Sequence, residues 1–128
     1  MKDARHPVAP SAGSSGHERW SAEAGPRDVA TLIIPPDAQR DRRFEIACRF
    51  VVARKAGAGD PAWHSLRSDV DGALEWSRQV PTENPGSTDS LDYRFRRTVP
   101  SGQPLRITAK TAVRGAERHE LLIEAEED

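Results

Sequence analysis

The chain has 128 residues, 19 basic and 20 acidic side chains, a formal net charge of -1 and one cysteine. Its length fits one domain, and its balanced charge gives no global field to draw nucleic acid or an anionic membrane. Cys48 has no partner for an internal disulfide, and no run of apolar residues near the N-terminus is long enough for a signal peptide or a membrane span. A cytoplasmic location is the expectation that follows.

Residues 1–27 are rich in Ala, Ser, Gly and Pro and carry no hydrophobic period, so they read as a disordered tail preceding a domain at 28–126. Trp20 stands out there as a candidate docking anchor. From residue 28 the pattern changes to strands. "DVATLII" is rich in β-branched residues and stops at Pro35-Pro36. "FEIACRFVVAR" sets Phe44, Ile46, Cys48, Phe50 and Val52 on one face, the two-residue period of a half-buried strand.

"WHSLRSDV" and "ALEWSRQV" flank Asp71-Gly72. Asp69 and Asp71 before a glycine resemble part of a calcium loop. Aligned on Gly72, however, its first and twelfth positions hold Arg67 and Arg78 where oxygen ligands are required. The stretch reads as a hairpin turn, with a three-residue loop over 70–72 setting Leu66 opposite Trp76 and Arg67 opposite Glu75. "LDYRFRRTV" turns Leu91, Tyr93, Phe95 and Val99 inward, interrupted by Arg97, and Arg94 and Arg96 outward. "LRITAKTAV" and "ERHELLIEA" read as a last hairpin about Gly115. In that register Ile107 faces Ile123, Arg106 meets Glu124 and Lys110 meets Glu120.

Seven short strands with alternating faces predict an antiparallel β-sandwich. Cys48 in the second strand and Trp63 opening the third resemble the first half of the immunoglobulin-like pattern, although no second cysteine follows. The resemblance implies an architecture and no specific activity.

The chemistry-bearing residues support binding better than catalysis. His6, His17, His64 and His119 lack metal-ligand spacing, and Cys48 falls on an apolar face. No serine elbow or phosphate loop occurs. We therefore expect no catalytic, metal or cofactor site. The leading expectation is a non-enzymatic module for a protein partner, with "DVATLII" or the acidic last strand as a free edge. The alternative is carbohydrate stacking on Trp63 or Trp76. Arg94 and Arg96, with Arg106 and Lys110, form the best basic patch, but nucleic-acid stacking would need Tyr93 and Phe95 exposed.

Overall fold

The computed structural model describes residues 17–59, 61–84 and 86–128. Among the described residues eight strands alternate with turns: β1 (Arg19–Glu23), β2 (Val29–Ile34), β3 (Arg42–Arg54), β4 (Trp63–Val70), β5 (Ala73–Pro81), β6 (Thr88–Val99), β7 (Leu105–Arg114) and β8 (Ala116–Glu127). They form two four-stranded sheets, ordered β1-β8-β3-β6 and β2-β7-β4-β5. Every pairing is antiparallel. The expected β-sandwich is therefore the fold.

Four of the pairings are nested: β4 with β5, β3 with β6, β2 with β7 and β1 with β8. The chain is folded in half at Asp71-Gly72, and alternate rungs of the doubled ribbon fall into alternate sheets. This is the course of an eight-stranded jelly roll. It corrects the immunoglobulin-like expectation, in which the first, second, fifth and fourth strands share one sheet. Cys48 does face the interior, fully buried, and receives a hydrogen bond from Ser68 Oγ at 3.4 Å. Trp63 does not join it. His64, Leu66 and Ser68 are the inward residues of β4, which puts Trp63 on the outer surface.

The core forms where the alternation predicts. Phe44, Ile46, Cys48, Phe50 and Val52 of β3 are all fully buried, against Leu32, Ile107 and Leu66 from the opposite sheet. Each such aromatic or branched side chain stabilises the fold by about 1.5–3 kcal/mol on burial.

The last hairpin is not formed. Ile107 lies beside Leu32 and Val70, while Ile123 lies beside Ala22 and Cys48. Strands with the same alternation can meet edge to edge or face to face across a core, and β7 and β8 do the latter. Gly115, at φ 66, turns the chain between sheets, where an added Cβ would sit 3.1 Å from Ala62 Cβ. In consequence β8 is an interior strand, so the acidic last strand is not the free edge expected of it.

β1 begins inside the segment read as tail. Arg19–Glu23 pairs with β8, so the ordered domain includes residues 17–27; the rest of that segment lies outside the described residues. Its attachment is partly electrostatic. Buried Glu18 accepts hydrogen bonds from Arg42 Nη1 at 2.8 Å, Arg40 Nη2 at 3.0 Å and Trp20 Nε1 at 2.9 Å. Arg40 also binds Glu127 through both terminal nitrogens. Those hydrogen bonds hold the Glu127 carboxyl below its ordinary pKa. Arg42 further donates to Pro35 O at 2.8 Å. Four charged side chains thus lock the start of β1, the β2–β3 connection and the end of β8 together.

Candidate functional site: a groove at the hairpin tip and an open edge at β2

Asp71 and Gly72 have φ of 50° and 86°. Two consecutive left-handed residues make a two-residue hairpin turn of the primed type. The expected three-residue loop is replaced by this turn and a bulge: Asp69 faces Leu74, Ser68 faces Trp76, and Glu75 between them has no opposite residue. A bulge re-aims the extra side chain. Here the Glu75 carboxylate swings toward β6, accepting hydrogen bonds from Tyr93 OH at 2.9 Å and Arg97 Nη2 at 2.5 Å.

The two carboxylates that resemble part of a calcium loop are committed elsewhere. Asp69 is buried and binds Arg67 Nε at 2.8 Å and Lys110 Nζ at 3.4 Å. Burial alone would raise its pKa, but these two cations hold it below the ordinary value. Asp71 Oδ1 accepts the Arg106 backbone N–H at 2.9 Å. Among the described residues, no group of three or more His, Cys, Asp or Glu side chains is arranged to hold a metal.

Beyond Glu75 lies an aromatic stack. Trp76 is parallel to Tyr93 with centroids 4.4 Å apart, and Tyr93 overlaps Phe95 at 5.4 Å. The Arg97 guanidinium lies 5.9 Å from the Phe95 centroid. Burial, then the Glu75 acceptor, raise the Tyr93 phenol above its usual pKa. Beside the stack a groove of about 570 Å³ runs between the hairpin tip and the β6–β7 connection, lined by Leu74, Glu75, Arg97, Pro100, Gln103 and Pro104 among others. Arg97 Nε is buried there without a hydrogen-bond partner.

The second feature is β2. Asp28 O accepts the Thr111 N–H at 2.9 Å, which sets the phase of the ladder. In an antiparallel pair, residues two apart repeat the same hydrogen-bonding role. Ala30, Leu32 and Ile34 therefore direct their backbone groups to β7, and Val29, Thr31 and Ile33 direct theirs to the open edge. The same three side chains lie on the outer surface, with Val29 42% and Ile33 55% exposed.

The residues singled out from sequence are dispersed. Trp20 turns inward, half-buried against the core and tied to Glu18, so it is not a free anchor. Trp63 is half-buried on the outer face of the second sheet. Trp76 is engaged with Tyr93. Arg94 and Arg96 are exposed and outward as expected, but Arg94 lies 3.6 Å from Glu45 and Arg96 3.3 Å from Asp128. His64 is buried, its Nδ1 2.6 Å from Thr82 Oγ1, and burial lowers its pKa. Glu75 and Arg97 were not anticipated as a pair. The available signal was an arginine on the inward face of β6, where a cation requires a partner.

No family model matches the chain, and no curated protein matches it. Solved structures do. The functional form of the mosquito-larvicidal Cry4Aa toxin from Bacillus thuringiensis aligns with a TM-score of 0.52 at 10% identity, covering 81% of this chain and 18% of that one. The likeness is one of fold. Dimeric latent PorU from Porphyromonas gingivalis aligns at a TM-score of 0.49 and 18% identity, covering 87% of this chain and 12% of its own. A family 35 carbohydrate binding module from Clostridium thermocellum aligns at 0.39 and 13% identity, over 91% and 85% of the two chains. This chain thus spans under a fifth of the first two proteins.

Proposed function

We propose that the domain is a non-enzymatic interaction module that accepts an extended partner strand along β2. The observation that carries this reading is the open edge itself. Val29, Thr31 and Ile33 present unpaired backbone groups in line with exposed apolar side chains, the arrangement by which strand addition gives both affinity and specificity. A photo-crosslinking residue at Ile33 tests it in cell extract. Discrete adducts that vanish when Thr31→Lys is added are the expected result; their absence rejects the reading.

A second reading, carbohydrate binding, is supported by the groove at the hairpin tip. Glu75, Asp71, Gln103 and Arg97 supply polar atoms beside the apolar surfaces of Leu74, Pro100 and Pro104, a mixture suited to the hydroxyl and C–H faces of a sugar. In this reading Glu75 and Arg97 make the contacts. Tyr93 has a ring stacked on each side and offers no open platform. Titration with a glycan panel, followed by tryptophan fluorescence from Trp76, should show a saturable change lost in Glu75→Gln. A flat response across the panel removes it.

A further inference from the structure

Among the described residues the two sheets have four edge strands, and they differ in one respect. β1 carries Arg19 and Glu23, β5 carries Glu75 and Arg78, and β6 carries Asp89, Asp92 and three arginines. β2, reading Val-Ala-Thr-Leu-Ile-Ile, carries no charge at all. Edges are ordinarily guarded by charge, proline or a bulge against pairing with other chains. β2 has prolines only outside its span, at Pro26 and Pro35-Pro36, and pairs with β7 without a register shift.

We infer that the strand received by β2 is β2 of a second copy, in an antiparallel pair with Thr31 on the two-fold axis. This rests on the reading of β2 as an acceptor edge and names its partner. The register follows from the phase. The open-edge positions are 29, 31 and 33, and centring the axis on Thr31 is the alignment that puts all three opposite one another. Val29 faces the second copy's Ile33, Thr31 faces its Thr31, and Ile33 faces its Val29. Each pair exchanges two backbone bonds. Any shift by two residues leaves one pair outside the strand.

The side chains are self-complementary in that register. Val beside Ile and Thr beside Thr are favourable cross-strand neighbours. The two exposed apolar residues of each copy become one shared patch, which accounts for Val29 and Ile33 lying in solvent on a single chain. An isologous contact of this kind closes as a dimer and leaves no further copy of the edge to extend. The neighbouring edge adds no conflict. β1 runs from Arg19 to Glu23, so the same two-fold turns the basic end of one β1 toward the acidic end of the other.

The purified full chain tests this directly. Light scattering should report twice the 14.1 kDa chain mass, falling to one chain mass in Thr31→Lys, which places like charges on the axis. Thr31→Cys should give a covalent dimer on oxidation, because opposed residues in a hydrogen-bonded pair are about 5.5 Å apart at Cα, within disulfide reach. Cys48 is fully buried, so the new thiol is the reactive one. Val29→Cys alone should not crosslink, since the second copy's Val29 lies four residues along the strand, about 14 Å away. A mixture of Val29→Cys and Ile33→Cys should. A single chain mass at the highest soluble concentration overturns the inference, as does Val29→Cys crosslinking as readily as Thr31→Cys. If that occurs while the Ile33 photo-adduct with another protein persists, the partner assignment fails and the acceptor edge stands; loss of both removes both.

Discussion

The two outer faces of the sandwich are built from the same alternating strands and have opposite characters. On the β1-β8-β3-β6 face, charges of opposite sign stand on adjacent strands. Arg19 reaches Glu126 at 3.1 Å, Arg94 reaches Glu45, and Arg96 and Arg43 share Asp128 at 3.3 and 3.5 Å. On the β2-β7-β4-β5 face, Val29, Ile33 and Leu74 are exposed beside Arg67, Arg106 and Lys110, with buried Asp69 the counter-charge. One face is partly neutralised by its own neighbours. The other is greasy, net basic and bounded by an unguarded edge. Composition averages over both, which is why a net charge near zero says little about where a partner would settle.

The contrast between buried and surface charge is the easiest to break. Arg42→Met removes a cation that is 3% exposed and leaves Glu18 partly uncompensated; urea unfolding should show a loss of about 3–5 kcal/mol. Arg96→Met, on the exposed face of the same sheet, should cost under about 1 kcal/mol. Equal effects would erase the distinction. In the second sheet the comparable weak point is conformational. Gly72→Ala forces a side chain into φ 86° and should cost about 1–2 kcal/mol in the same assay.

Acidification sharpens the comparison in two steps. His64 has a lowered pKa because burial disfavours its charged form, so its contribution is intact above the ordinary histidine value and is lost as pH falls below it. Glu127 is held low by Arg40, so its contribution is present above the ordinary carboxylate value and is lost as pH falls through the folded one. Thermal melts across pH should show a first decline that disappears in His64→Gln and a second, at lower pH, that does not. The smallest effect belongs to the greasy face. Ile33→Ser should change monomer stability by no more than about 0.5 kcal/mol, because its side chain is already in water. A large loss by calorimetry would mean that Ile33 packs within its own chain.

Strand identity was legible in the residues wherever a strand exposes one face and buries the other; β3 keeps that alternation from Phe44 to Val52. Strand adjacency was not. Leu105, Ile107 and Ala109 match Leu121, Ile123 and Ala125 equally well as neighbours in one sheet or as opposite walls of the core, and alternation carries no term to separate the two. β1 was hidden by its brevity and by Ser21 and Ala22, which favour strands weakly. Trp20 was its visible trace. The Glu75–Arg97 contact depends on a bulge, and one extra residue in a ladder leaves no mark in a two-residue rhythm. The β2 edge was legible as a strand and as one of two candidate free edges, and only the sheet order, with β2 outermost beside β7 and β8 interior, separates the two.

The nested course of the chain also dictates an order of assembly. Val70 and Ala73 are neighbours in sequence and can meet at once, whereas Arg19 must find Glu126 across almost the whole polypeptide. Closing such separations is slow, so a domain of this topology should refold over milliseconds to seconds from the bend at Asp71-Gly72 outward. Until the first two strands arrive, β7 and β8 offer bare flanks to any passing ribbon. The interval before closure is the period of greatest risk of entanglement with other chains.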